Sequence, residues 1–238
     1  MASNDPNIAL IEVVAARLGD DLLEQVVFVG GAVAGLLVTD AAMPAIRPTE
    51  DVDLIVPVIA RADYHAIEEA LRQRGFTPDM RKGAPICRWL VGGVTVDLMP
   101  TLEEMLGFSN RWYPLAARTA KRFLLPGDKA IHVISAPAFI ATKMEAFDGR
   151  GQGDYLFSHD LGDLIAVIDG RDELQGECER APDELKRYLA DRVRALLATP
   201  DFVDALPGHL PPDQASQDRL PDLMDKLEAL ANLSAGPR

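Results

Sequence analysis

The chain has 238 residues, enough for one large domain or two modest ones. Apolar residues make up 48% of it and charged residues 26%, a balance that excludes disorder over most of the length. The formal net charge of -13 argues against a wide nucleic-acid groove, because phosphate binding is driven by lysine and arginine. Two cysteines, Cys87 and Cys178, are too few for a disulfide framework, which points to a reducing compartment. The N-terminus carries no basic and apolar leader, and no apolar run approaches the ~20 residues of a membrane span. A cytoplasmic protein without membrane contact is expected.

In chain order, Asn4-Asp5-Pro6 is a helix start signal, with a capping side chain ahead of a proline. Ile8, Ile11, Val14, Ala15 and Leu18 then recur at helical spacing, and Gly19 closes the element. Val26-Val27-Phe28-Val29 reads as a strand ending in Gly30-Gly31, with a short helix over 32–38 behind it. Residues 40–50 form a loop leading into a strand over 51–56. Arg61 to Arg74 reads as an amphipathic helix stopped by Gly75. Strands over 86–91 and 94–99 are joined by Gly92-Gly93, a dipeptide suited to a two-residue hairpin. A second hairpin is expected from 118–125 and 130–134, and Pro137 opens a long helix pattern through Phe147. Glycines 149, 151 and 153 read as a flexible link, followed by helices over 160–169, 182–198 and 213–232. The fold class expected is α/β (α+β), a mixed sheet flanked by helices and followed by a helical C-terminal domain. The domains are placed at 1–135 and 136–238.

Asp51 and Asp53 carry the chemistry. Residues i and i+2 of a strand point to one face, so these carboxylates stand side by side ~7 Å apart. Like charges so placed need a cation between them, and Mg²⁺ takes one or two carboxylates while substrate phosphates supply further oxygens. Asp97 alternates with Val96 and Leu98 in a strand that can neighbour the first two acids. Three carboxylates on adjacent strands suit a two-ion site of the kind that clamps an in-line displacement. Gly30 and Gly31, after a strand and before a helix, permit close backbone approach to a triphosphate. A nicotinamide reading of Gly30 to Gly35 fails because the acids precede the core of the second strand rather than end it. His65, His132, His159 and His209 show no zinc-ligand spacing.

The set Gly30-Gly31, Asp51-x-Asp53 and Asp97 resembles the nucleotidyltransferase superfamily related to DNA polymerase beta. Arg47-x-Thr49-x-Asp51-x-Asp53 narrows the resemblance to the AbiEii-like, abortive-infection nucleotidyltransferases. Lys143 to Arg150, then His159-Asp160-Leu161-Gly162-Asp163-Leu164, is similar to that family's second segment, and the resemblance covers about residues 24–170. It implies transfer of a nucleotide from ATP or another nucleoside triphosphate to an acceptor hydroxyl on a tRNA, a protein or a small molecule. It also implies two Mg²⁺ ions on Asp51, Asp53 and Asp97, with Lys143 and Asp160 as further catalytic residues. Gly30, Gly31, Arg47, Thr49 and Arg150 would contact the nucleotide. A toxin role with an antitoxin partner comes with the family. Ala32 stands where many relatives carry a hydroxyl residue, and His159 where a basic residue often precedes the aspartate. The rival expectation is an inactive nucleotide- or partner-binding module of the same fold.

Overall fold

A computed structural model describes residues 5–58, 60–102, 105–107 and 109–234 of the chain; Asn4 of the helix start signal lies outside them. The chain divides into two compact units, Met1–Gly35 with Arg47–Ser135, and Leu36–Ile46 with Ala136–Arg238.

The first unit is built on a seven-stranded mixed sheet. Its strands are β1 (Val27–Val29), β2 (Asp51–Val56), β3 (Thr77–Pro78), β4 (Arg88–Val91), β5 (Val94–Pro100), β6 (Lys121–Leu124) and β7 (Ala130–Val133). Their spatial order is β3-β4-β5-β2-β1-β7-β6. The central pair β2 and β5 runs parallel, and β1 lies antiparallel on the other side of β2. One face of that pair carries Val52, Leu54, Val96 and Leu98, all fully buried. Each such side chain contributes about 1.5–3 kcal/mol on leaving water.

Helix α1 (Pro6–Leu23) starts as its sequence dictates: the Asp5 carboxylate accepts the Asn7 N–H at 2.8 Å, with proline in the first turn. Its buried stripe of Ile11, Val14, Ala15 and Leu18 packs on β2 and β5. Gly19 takes φ +71° and breaks the helical path, but the chain turns helical again to Leu23 rather than ending there. Helix α3 (Arg61–Gln73) buries Tyr64, Ile67 and Leu71, and the Tyr64 hydroxyl donates to the Leu98 carbonyl at 2.8 Å. Between them the expected helix over 32–38 is a 3-10 turn, Gly31–Val33, and the one-turn helix α2 (Ala34–Leu37). A short helix α4 (Tyr113–Arg118) precedes β6, where the sequence predicts a strand from 118. Pro114 in its first turn is a helix starter, since it forgoes an N–H that would have no intrahelical partner.

The second unit holds α5 (Ala136–Arg150), α6 (His159–Gly170), α7 (Leu174–Glu179), α8 (Asp183–Leu197), α9 (Pro200–His209), α10 (Gln214–Gln217) and α11 (Leu220–Ala231). The helix expected over 213–232 is two helices. Pro221 begins α11, because its ring leaves no N–H to continue the preceding turn. Pro200, read as a break, instead opens α9. Helix α5 extends to Arg150, through the first of the three glycines read as a link.

The segment 36–46, placed in the first domain by the sequence, packs with the helices of the second unit. The Thr39 and Asp40 N–H groups donate to the Gly170 carbonyl at 2.9 and 3.0 Å. Arg219 joins Asp40 and Asp169, at 2.9 and 2.8 Å. A Cβ on Gly170 would meet Met43 and Val38 at 2.8 and 2.9 Å, so glycine is what lets this segment lie so close.

Candidate active site

The registers of β4, β5, β2 and β1 draw one transverse row across the sheet: Arg88 pairs with Asp97, Asp97 with Asp53, and Asp53 with Val29. Directly paired residues share a face, so the carboxylates of Asp53 and Asp97 and the Arg88 side chain emerge together. Asp51 lies two residues back along β2 on the same face, opposite Thr95.

Past Val29 the chain turns at Gly30, with φ +71°. A side chain there is doubly disfavoured. The left-handed backbone costs an L-residue roughly 1–2 kcal/mol, and a Cβ would stand 1.8 Å from Asp53 Oδ2. The glycine corner is therefore the space into which the Asp53 carboxylate fits. Gly30→Ala is expected to displace that carboxylate, destabilise the fold by about 1–3 kcal/mol and slow any reaction at the site about 100-fold. Unfolding curves and turnover measured on the same preparation check both; wild-type turnover would show that Asp53 tolerates the shift.

Asp51 is positioned by the loop before it. Thr49 Oγ1 donates to Asp51 Oδ1 at 2.9 Å. Thr49 is held in turn by Asn7, a fully buried residue of α1, whose Oδ1 accepts the Thr49 N–H at 2.9 Å. The Asn7 amide also donates to the Arg47 carbonyl at 3.0 Å, and Arg47 Nη1 donates to the Pro48 carbonyl at 3.1 Å. In this state the Thr49 hydroxyl orients an acid, a role distinct from the nucleotide contact expected of it. Gly31 opens the 3-10 turn, and the four-residue helix behind it leaves little macrodipole to aim at an anion.

Arg88 was not among the expected site residues, yet it dominates the electrostatics. Its Nε and Nη2 donate to the two oxygens of Asp97 at 2.8 and 2.6 Å, a bidentate fork. Nη2 also stands 3.7 Å from Asp51 Oδ2. Hydrogen bonding to Asp97 pushes the Arg88 pKa above its already high ordinary value. The Arg88 guanidinium thus places a positive charge on Asp97 and near Asp51. Next to it, burial and the charges of Asp97 and Asp53 push the Cys87 thiol up to about 12, which leaves it inert as a nucleophile at neutral pH.

Among the described residues no three His, Cys, Asp or Glu side chains are disposed to hold a metal ion. The donor chemistry still suits a hard cation in part. Asp51 and Asp53 offer carboxylate oxygens on one face, beside a corner that only glycine fills, and Mg²⁺ needs no more than two carboxylates when phosphates complete its shell. Asp97 does not fit as a ligand while both of its oxygens accept from Arg88.

No protein-family model matches the chain, and no curated protein matches it. Among solved structures it is similar to the antibiotic-resistance factor ANT(2'')-Ia, with 14% identity, TM-score 0.47, 80% of this chain covered and 93% of that one. It is also similar to a protein of H. pylori described as a nucleotidyltransferase, at 12% identity and TM-score 0.44, covering 97% and 96%. The protein JHP933 from Helicobacter pylori matches at 12% identity and TM-score 0.45, covering 97% and 94%.

The remaining predicted residues gather in the second unit. Lys143 of α5 donates to Asp160 Oδ1 at 3.2 Å and Asp163 Oδ2 at 2.7 Å. Arg150 places a second fork on Asp160, with both contacts at 2.8 Å. Asp160 and Asp163 share one face of α6, as their spacing requires. Lys143, Asp160 and Asp163 are each under 10% exposed. Burial works to raise the Asp160 pKa, but the Arg150 hydrogen bonds and the charges of Lys143 and Arg150 outweigh it, and the value is lowered. Buried Lys143 and the largely exposed Arg150 thus balance the charges of Asp160 and Asp163.

Proposed function

We propose that this protein is a Mg²⁺-dependent nucleotidyltransferase. The observation that carries the reading is the transverse row: Asp53 and Asp97 in register on parallel strands, Asp51 on the same face, and Gly30 making room for the Asp53 carboxylate. The resemblance of these motifs to the nucleotidyltransferase superfamily gives the row its chemistry. The acceptor oxygen attacks the α-phosphorus of a nucleoside triphosphate, the bond to the β-phosphate oxygen breaks and pyrophosphate leaves. Asp51 and Asp53 would hold a Mg²⁺ ion, which would supply charge neutralisation of the transferring phosphoryl group. Asp97 lies beside Asp53, where the resemblance has it complete the second ion's site and favour deprotonation of the attacking hydroxyl. The phosphate contact of Gly30 and Gly31 belongs to the reading through the resemblance, since the Gly30 corner itself is taken up by the Asp53 carboxylate. Arg47, Lys143, Asp160 and Arg150 belong to the reading through the sequence resemblance.

The acceptor is a tRNA, a protein side chain or a small hydroxylated molecule, and the net charge of -13 tilts the choice away from a large RNA. A toxin held in check by an antitoxin is the biological setting the resemblance supplies. Incubating the protein with Mg²⁺, each α-labelled triphosphate in turn and whole-cell extract tests the reading. Label on RNA, protein or a metabolite identifies the acceptor class, and its disappearance with Asp51→Asn ties transfer to the site. One observation favours the rival, a nucleotide-binding module without activity: Asp97 is already neutralised by Arg88. Triphosphate binding with no transfer under any condition would select that rival.

A further inference from the structure

We propose that Arg88 is an internal competitor of the catalytic cation: it holds Asp97 shut, and a divalent ion engages Asp97 only by displacing the guanidinium. The identity of the ion rests on the nucleotidyl-transfer reading; the competition rests on the geometry of Arg88. The Asp97 side chain is 11% exposed, so its charge is costly without a partner, and both of its oxygens are engaged by the fork at 2.8 and 2.6 Å. The same guanidinium lies 3.7 Å from Asp51, so it spans two acids on neighbouring strands. A divalent ion sharing Asp97 with it would face a like charge a few Å away, a repulsion of about 4 kcal/mol per unit charge at an effective dielectric near 20. Arg88 and the ion therefore exclude each other.

The exchange is open physically. The Arg88 side chain is 25% exposed, more than that of Asp97, and its long stem allows the head to leave. Asp51, Asp53 and Asp97 carry three negative charges, of which Arg88 cancels only one, so the site still attracts a divalent ion. A freed guanidinium fork matches phosphate oxygens as well as carboxylate ones. An ion–triphosphate complex thus brings a cation for Asp97 and an anion for Arg88 at once, so that neither group is left without a counter-charge. Until that complex arrives both Asp97 oxygens stay engaged by Arg88.

A Mn²⁺ titration followed by electron paramagnetic resonance, on wild type, Arg88→Gln, Asp97→Asn and the double variant, tests this without reference to turnover. Arg88→Gln is expected to bind Mn²⁺ at least about 10-fold tighter than wild type, a gain near 1.4 kcal/mol. Asp97→Asn alone is expected to change affinity by less than about 2-fold, and the double variant to return to the wild-type value. Arg88→Lys keeps a charge but loses the fork; it is expected to fall between wild type and Arg88→Gln, and stands in should the latter fail to fold. Affinity unchanged or weakened on loss of Arg88, a gain that survives Asp97→Asn, or no Mn²⁺ binding by any of the four proteins overturns the proposal. The transfer reading is judged separately by triphosphate turnover. The affinity pattern without turnover keeps the competition and removes the enzyme; turnover without the pattern does the reverse.

Discussion

Asp53→Asn is expected to lower the proposed nucleotidyl transfer by roughly a thousand-fold while leaving the unfolding midpoint within a few degrees of wild type. The substitution conserves shape, so the amide still fits against the Gly30 corner, and the ladders of β2 with β1 and β5 keep their registers. It removes the one charge that sits at the centre of the row, between Val29 and Asp97. Because the residue lies among other acids, losing its charge relieves repulsion as well as removing a ligand. Fold and function should therefore separate cleanly here. The measurement is transfer of label from an α-labelled triphosphate beside a thermal melt. A rate within 10-fold of wild type would mean that the cation, if one is used, does not depend on Asp53.

Lys143→Met is the substitution with the largest expected cost in stability, about 3–5 kcal/mol by chemical denaturation. The methionine matches the lysine stem in length but supplies no charge to Asp160, at 5% exposure, or to Asp163, at 3%. Arg150 still forks onto Asp160, which places the loss toward the lower end of that range. The pH dependence adds a second readout. Asp160 titrates below its unfolded value, so its stabilising contribution is complete above about pH 4 and is lost as the pH falls through the lower folded value. With the charge of Lys143 gone, burial holds the Asp160 pKa higher, so the stability of the variant should fall less steeply on acidification. An acid limb as steep as that of wild type would show that Lys143 contributes little to Asp160. A loss below about 1 kcal/mol would release Lys143 from a structural role and favour the phosphate-neutralising role that the resemblance assigns it.

Local pattern was sufficient for much of the fold. β2 spans Asp51–Val56 and α3 spans Arg61–Gln73, within a residue of what periodicity and flanking glycines predict. The Gly92-Gly93 hairpin is also present, joining β4 to β5. That hairpin contained a further inference. A two-residue turn at 92 and 93 sets Val91 opposite Val94, and counting back puts Arg88 opposite Asp97, so the partner of the third acid was within reach of the register. Asn7 had no such signal. It reaches Arg47 and Thr49 across about forty residues, and nothing in the local sequence of a helix start announces a clasp on a distant loop.

By itself, then, the sequence determined what depends on near neighbours: element type from periodicity, corners from glycine and proline, and the shared face of Asp51 and Asp53 from the two-residue repeat of a strand. Tertiary structure decided what depends on which strands lie side by side. The parallel pairing of β2 with β5 sets Asp97 beside Asp53, and no rule of local spacing predicts the order β5-β2-β1. It also decided that the Arg88 guanidinium forks onto Asp97, and that the segment 36–46 packs with the helices of the second unit. The physical reason is common to all three. Charge compensation and close packing are settled between groups far apart in the chain, and their energies exist only once the backbone has brought those groups within a few Å.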